Sequence, residues 1–584
     1  MATAFVSPGV FVREIDQSLY VRQLSDTSLG VVGTASWGPV NEPQLITSVN
    51  QLLNTFGPPL GLDTSNAYGT AVHPMINTVM RYLRKGRRAW VVRVEGSGSN
   101  SAVEANVDLY AIAGSGSGPS IAVNAKHGGT YGNQIRLRIS NGTITGRKKL
   151  TVYLGSPNDA AVLQQVETFD NLKKTNEAAT ATTSTDVDSW LTKINGVSAY
   201  IEVAQGGDIT NQPDNVNQSE PASAGLQDAS DLTNSADQLD TNDTFYSFAN
   251  GADGVGQVSD SDFIGTPTGG PNGQPSGLHC FDNAEAFVVN VLAVPGAQKH
   301  FNSTEHIRPG HTSAIVNALQ SVCLIRQDSM ALVDPPIALT PTQVAHWHNG
   351  DFNLDGTDES AAFNSNLLAL HYPWVQVFDE FTGTNVYLPP SAFVAEAIAN
   401  TDFVSDPWFA PAGLNRARIE AAIKAERTLT QGERDFLYSG GNVINPIATF
   451  QGTGLVIWGQ RTMQRQATAL DRINVRRMLL ILRKLIATAC QSLVFEPNDA
   501  TLWRRFRGLV SPFLEAVQNR RGITQFRVIC DETTNTPDVI EQNQMIGKIF
   551  IQPTKTAEIL VIDFVLTPQG AQFQEIVQSL GGSV

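Results

Sequence analysis

The stretch YPWVQVFDEFTGTNVYLPPSAFVAEAIANTD (372–402) decides how the chain is read. Its first part, YPWVQVFD (372–379), is rich in aromatic and β-branched residues and reads as a strand. TNVYLPPSAFVAEAIANTD (384–402) reads as a strand, a proline turn and a helix. Upstream, NAEAFVVNVLAVPG (283–296) reads as an apolar strand. Helical spacing near 311–323 and a further strand in SMALVDPP (329–336) make the unit βαβ-like. Residues 20–95 follow the same logic: LGVVGTASWGPVNEPQLIT (29–47) supplies two strands, 67–85 has helical spacing, and RRAWVVRVEG (87–96) is a strand. Alternating strands and helices predict an α/β fold.

Between these blocks the composition changes. GSGSN (96–100) and GSGSGPS (114–120) read as linkers or surface turns around a short strand. IAVNAKHGGTYGNQIRLRIS (121–140) and KKLTVYLG (149–156) are β-rich, whereas 205–275 is dense in Asp, Asn, Ser, Gly and Gln and is a poor core former. Residues 165–275 hold 17 Asp/Glu against 3 Lys/Arg, so nearly all of the formal charge of −15 sits there. From 455 to 530 the sign reverses, with 13 Lys/Arg against 4 Asp/Glu. The chain is therefore polarised, with an acidic middle and a basic C-terminal block.

The basic block contains the clearest helix, ALDRINVRRMLLILRKLIATAC (469–490). Val475, Met478, Leu479, Leu482, Leu485, Ile486 and Ala489 share one stripe, and Arg472, Arg476, Arg477, Arg483 and Lys484 occupy another. A second helical region spans 497–522, with Asp499 as its N-cap and a kink or restart expected at Ser511-Pro512. ITQFRVICDE, GKIFIQP and AEILVIDFVL read as three closing strands. Arginines so placed suit a solvated helix face, an acidic protein partner or nucleic acid; no nucleic-acid-reading motif accompanies them.

No other pattern assembles a reaction centre. DFNLDGTDESAA (351–362) places Asp351, Asn353, Asp355 and Gly356 at calcium-loop positions, but Ala362 stands where the bidentate carboxylate belongs, so a polar turn is expected. His346 and His348 would share a face only on a strand. The glycine runs match neither a phosphate cradle nor a dinucleotide fingerprint, and no G-x-S-x-G occurs. No catalytic residue, cofactor or metal is expected. Four scattered cysteines argue against a disulfide framework and for a reducing compartment. No apolar run reaches 18 residues, so a membrane span is not expected, nor is a secretory signal.

The first residues pose a separate question. VSPGVFVREID (6–16) has strand character, with Pro8-Gly9 as a turn and Val10, Phe11, Val12 and Ile15 apolar, yet no hairpin partner follows it. Together with LGVVGTASWGPVNEPQLITSVNQLLNTFGPP (29–59), RAWVVRV (88–94), GTYGNQIRLRI (129–139), the 369–402 block, PWFAPAG (407–413), GLVIWGQRT (454–462), INVRRMLLILRKLI (473–486) and VFEPNDATLWRRFRGLVSPFL (494–514), this opening resembles the contractile tail sheath proteins of long-tailed phages and related injection devices. Tyr131 stands where tryptophan is usual in that family, and 140–275 matches nothing familiar.

The resemblance implies a multidomain α/β (mixed α+β) chain: an N-terminal arm (1–20), the first part of a sheath core (21–95), an acidic, outward-facing β-rich insertion (96–275), an α/β sheath domain (276–365), a tube-proximal C-terminal domain (366–565) and a C-terminal arm (566–584). It implies a structural subunit, not an enzyme, that stacks as hexameric rings around a tail tube and contracts to drive the tube through the host envelope. The sheath of a phage-derived bacteriocin or other injector is an alternative, and an enzyme that binds nucleic acid or an acidic ligand is a distant one. Implied partners are copies of itself, the tail tube protein, and baseplate and terminator proteins. Direct binding to nucleic acid and membrane insertion are not implied. The implied location is the virion, after assembly in the host bacterial cytoplasm. The arm strand at Pro8–Ile15 would pair with a neighbour's strand from 523–530 or 545–565, with part of 558–579 as the opposite arm. Arg472, Arg476, Arg477, Arg504, Arg505 and Arg507 would touch the tube or adjacent subunits.

Overall fold

A computed structural model describes residues 27–559, apart from 60, 64–67, 97–100, 110–119, 156–162, 176–177, 179, 207–244, 255–257, 271–272, 301–306 and 352–361. The described residues up to Pro497 and those from Asn498 onward form two compact units.

The first unit opens with β1 (Leu29–Gly33), every residue of which is buried. There follow β2 (Gln44–Ile46), α1 (Val49–Phe56), α2 (Pro74–Leu83) and β3 (Ala89–Arg93). The hydroxyl of Ser48 accepts from Gln51 N and caps α1, a short helix that the sequence reading passes over.

The chain then leaves this body to form a β-rich insertion. Strands β4 (Glu104–Leu109), β5 (Ile121–Gly128), β6 (Ile135–Asn141), β7 (Lys148–Gly155) and β8 (Leu163–Leu172), helix α3 (Trp190–Ile194), β9 (Ile201–Gln205) and β10 (Tyr246–Ser247) make two sheets, ordered β4-β5-β9 and β10-β6-β7-β8. Alternate residues such as Val123, Ala125, Leu137, Ile139, Leu150 and Val152 point into a core of their own, as expected for antiparallel strands covered on one face.

Trp37, from the loop after β1, belongs to that second core and joins the two bodies. His127 and Tyr131 meet its indole edge-on, at 5.2 and 6.0 Å between ring centres. The GTYGN motif is therefore the surface on which Trp37 sits. Gly129 has φ +142°, and a Cβ there would lie 2.0 Å from Ser36 O, so no other residue fits. Arg93, fully buried, donates to Gly38 O at 2.6 Å and to Gly128 O at 2.7 Å, one carbonyl on each body.

Back in the first body come α4 (Asp260–Ile264), β11 (Val291–Ala293), β12 (Gln298–His300), β13 (Ile307–Pro309), α5 (Ser313–Arg326), β14 (Met330–Val333), α6 (Pro341–Asn349), β15 (Leu368–Tyr372), β16 (Val375–Asp379), β17 (Thr384–Leu388), α7 (Pro390–Val404), β18 (Ala422–Ala425), α8 (Gln431–Tyr438), β19 (Asn445–Phe450), β20 (Gly454–Ile457) and α9 (Ile473–Cys490). Eight strands share one sheet, ordered β2-β3-β1-β11-β14-β15-β19-β20. Its interior pairs are parallel and its two outermost pairs antiparallel. Strands from 21–95, 276–365 and 366–457 thus lie side by side, and the division expected near 365 falls inside a single sheet.

Two expectations need correction. Only Val291–Ala293 of the 283–296 stretch is strand, because the Asn283 side chain accepts from the N–H groups of Glu285 and Ala286 and holds a turn. Strand YPWVQVFD is split at Tyr372, which ends β15, and resumes at Val375 in a separate three-stranded sheet, β17-β16-β18.

The second unit consists of α10 (Ala500–Asn519), β21 (Ile523–Ile529), α11 (Pro537–Glu541) and β22 (Lys548–Pro553). The Asp499 carboxylate accepts from Thr501 N and Leu502 N, which caps α10 as expected. A restart at Pro512 does not occur, and α10 runs through it as one element. Pro512 and Gly508, whose carbonyl loses its intrahelical partner, are both exposed, so water can serve that carbonyl. No helix among the described residues is long and apolar enough to cross a membrane.

Candidate assembly interface

The six residues proposed as the arm strand, Pro8, Gly9, Val10, Phe11, Val12 and Ile15, lie outside the described residues, as do Asn353, Asp355 and the segment 566–584. The stretches proposed to receive an arm, 523–530 and 545–565, are described up to residue 559. Residues 560–565, the rest of the closing strand AEILVIDFVL and residues 560–579 of the proposed opposite arm also lie outside the described residues. β21 and β22 pair antiparallel, with Phe526 opposite Ile551, Arg527 opposite Phe550 and Ile529 opposite Lys548. Among the described residues the sheet has only these two strands, so each presents one ladder edge with no strand beside it. Trp503, Phe506, Val510, Leu514 and Val517 form the buried stripe of α10, which packs on β21. Gly547 lies directly under the Phe506 ring: a Cβ would come within 2.5 Å of it. Along β22 exposed and half-covered residues alternate, and Phe550 on the outer face is 55 % exposed. The Asn535 side chain accepts from Ile546 N at 2.7 Å and donates to Ile546 O, standing in for a neighbouring peptide just ahead of β22. In the sequence Asn535 sits in DETTNTP, which reads only as a turn.

The arginines separate into groups. Arg504 and Arg505 are exposed on α10, Arg507 is half-buried, and Arg504 bonds back to Ala500 O and Thr501 of its own helix. Arg472 donates to Asp471 at 2.8 Å. Arg476 is half-buried, and burial, with Arg483 nearby, holds its guanidinium below the usual range. Arg477 departs from expectation: it is 3 % exposed and donates to Asp402 at 2.6 Å and to Pro407 O at 3.3 Å. The segment around Pro407 and Trp408 covers that flank of α9, with Asn474 donating to Trp408 O, so Arg477 is an internal residue. Lys484 pairs with Asp328, and Arg483 donates to Gln327. Part of the supposedly solvated stripe is therefore used within the chain.

His346 and His348 lie on helix α6, where a spacing of two sends them apart. His348 is fully buried, whereas His346 is half-exposed and paired with Asp351 at 2.7 Å. No cluster of three or more metal-ligating side chains exists among the described residues. Ser391, Asp334 and His311 do converge, all buried, but not as a nucleophile with its base. Asp334 accepts from Ser391 N at 2.7 Å and from its hydroxyl at 2.6 Å, which caps α7. The His311 Nδ1 accepts from Asp334 N and its Nε2 faces Val294 O at 2.9 Å, so the ring is held neutral with both nitrogens occupied.

The description "phage tail sheath protein central domain" matches residues 271–463, and "phage tail sheath C-terminal domain" matches 465–567. Together these cover half of the chain. It belongs to the phage tail sheath family. This sheath chain is 34 % identical over 270 residues to the tail sheath protein of Vibrio phage KVP40, covering 44 % of the present chain and 40 % of that one. It is 31 % identical over 277 residues to the tail sheath protein of Enterobacteria phage T4, covering 46 % and 41 %. The sheath chain thus spans about two fifths of the length of the curated relatives it matches. A crystal structure of a sheath tail protein from Desulfitobacterium hafniense has the same fold, with a TM-score of 0.52 at 12 % identity, covering 94 % of this chain and all of that one.

Proposed function

We propose that the chain is a structural, non-enzymatic subunit of a contractile tail sheath. Copies stack as six-subunit rings around a tail tube, between baseplate and terminator, and rearrange to drive the tube through the host envelope. The observation that carries this reading, beyond family membership, is the two-stranded β21–β22 sheet. Two strands on one helix are marginal alone, and among the described residues both outer edges are open to a further strand. Residues 6–16 of a neighbouring copy supply one such strand, with Val10 to Val12 in register with β21 or β22. Residues 558–579 serve as the opposite arm. Main-chain hydrogen bonds of this kind persist while subunits rotate. Arg504, Arg505 and Arg507, with Arg472 and Arg476, provide weaker contacts that release on contraction. The domain plan follows the same logic, with the acidic 96–275 insertion outward and the basic unit toward the tube. The subunit resides in the virion and assembles in the bacterial cytoplasm. Electron microscopy of purified full-length chain should show tubes or rings, and deletion of residues 1–16 should leave a folded monomer that forms none. Tubes from the truncated chain would refute the donated arm.

A further inference from the structure

The N-terminus of β1 is held in an unusual way. Thr27 and Ser28 precede the strand, are 6 % and 0 % exposed, and bond to side chains from five separate segments. The Thr27 hydroxyl donates to the Asp402 carboxylate on α7 and accepts from Arg477 Nη2 on α9 at 3.0 Å. Arg477 closes the triangle by donating to the same Asp402 oxygen at 2.6 Å. The Thr27 carbonyl accepts from the Tyr82 hydroxyl on α2. Ser28 N donates to Asn290 Oδ1 at 3.1 Å, and Ser28 Oγ accepts from Arg88 Nε at 2.6 Å. A strand that merely completes a sheet needs only its ladder. Here Thr27, outside the ladder, and Ser28, whose carbonyl alone joins it by accepting from Asn290 N and Val291 N, are also fixed by side chains to α2, α7, α9, the residue before β3 and the residue before β11.

We propose that Thr27 and Ser28 are the anchoring root of the N-terminal arm, with Asp402 and Arg477 as positioning residues. The proposal rests on the reading of residues 6–16 as a strand given to a neighbour. Tension on such an arm reaches the folded body at Thr27, where the side-chain bonds act in parallel and out of water, so no single one carries the load. Arg477 adds a second consequence. It lies on α9, the helix whose chain continues through 491–497 into the residues that form β21 and β22. One buried ion pair therefore ties the root of the donated strand to the helix that leads to the accepting strands.

The test uses full-length Thr27→Val, which is near-isosteric, removes the hydroxyl and leaves the Asp402–Arg477 pair, with Thr27→Ser as the conservative partner. Hydrogen exchange of the peptide covering 27–33 should accelerate about tenfold in Thr27→Val, with the melting temperature lowered by a few degrees at most. Thr27→Ser should exchange like the parent. Tubes assembled from Thr27→Val should fall apart at lower urea than parental tubes, and those of Thr27→Ser should not. Unchanged exchange, or tubes of parental urea resistance, would overturn the anchor. The outcomes separate from the arm reading: normal polymerisation without residues 1–16 defeats the arm, while unchanged exchange in a chain that still needs those residues defeats the anchor alone.

Discussion

Single buried residues decide how this chain responds to acid. His311, His348 and His371 are each at most 2 % exposed, and burial pulls them down from 6.5 to about 4, about 4 and about 3. Each folded value lies below the unfolded one, so between about pH 6.5 and pH 4 the unfolded chain binds the extra protons. Stability is therefore complete above pH 6.5 and is lost as pH falls, by on the order of 3 kcal/mol for each ring. Asp334 opposes this: burial raises it to about 7, against the bonds from Ser391, so its contribution falls as pH rises from 3.8 to about 7. Three histidines outweigh one aspartate. Urea unfolding of the full chain should give a free energy that drops steadily from neutral pH to pH 4, and a flat profile would sink the argument. Trp37 supports a second expectation. Trp37→Ala removes the side chain on which Tyr131 and His127 close, and should cost about 3–5 kcal/mol. Tryptic cleavage within 101–254 should rise before the first body unfolds, and simultaneous digestion of both would contradict the joint. The sequence offers GTYGN and ASWGPV as separate glycine-rich turns, and nothing in their spacing says that they meet.

Elements were legible where one pattern dominated. The 384–402 block became β17 and α7 as read, with Pro390 at the first helical position, and the first half of the α9 stripe is buried at Val475, Met478 and Leu482. The failures share a physical cause, the neighbour that a pattern cannot name. Arg477 lies on the polar stripe by periodicity, yet Asp402, 75 residues earlier in the chain, takes it inside. Helix α1 has eight residues, too few for a convincing period, and its signal was the Ser48 cap. Pro512 reads as a kink or a restart because propensity treats it without context, whereas exposure of Gly508 makes an uninterrupted α10 tolerable. It still lacks a donor. Pro512→Ala should raise the stability of the C-terminal unit by up to about 3 kcal/mol, seen as a higher urea midpoint by circular dichroism. A lower midpoint would mean that the ring makes packing contacts the helix needs. Asp499→Ala should cost about 1 kcal/mol in the same assay.

At the scale of the whole molecule, the α/β class and the acidic insertion were readable from alternation and composition, but the placement of strands was not. The order β2-β3-β1-β11-β14-β15-β19-β20 brings residue 29 beside residue 291 across the entire insertion, a pairing that local pattern does not encode. The same holds for assembly: the strand character of 6–16 names no partner, and the pairing proposed for it with β21–β22 has no local signal in the sequence. The basic patch on α10 then makes an electrostatic expectation. Arg504 and Arg505 are exposed in the single chain, so their replacement by glutamate should leave the monomer's melting temperature nearly unchanged. On the proposed assembly each would meet an acidic group on the tube or on an adjacent copy, a surface pair worth about 0–1 kcal/mol. Reversing both charges turns two attractions into repulsions, so the critical concentration for tube formation should rise about tenfold at low salt, equivalent to about 1.4 kcal/mol. The Debye length shrinks from roughly 10 Å at 0.1 M salt to roughly 3 Å at 1 M, so the difference should largely vanish at high salt. Sedimentation of full-length chain at the two ionic strengths measures both quantities. No rise at low salt would remove these arginines from the interface, and a salt-independent rise would make their role one of packing, not charge.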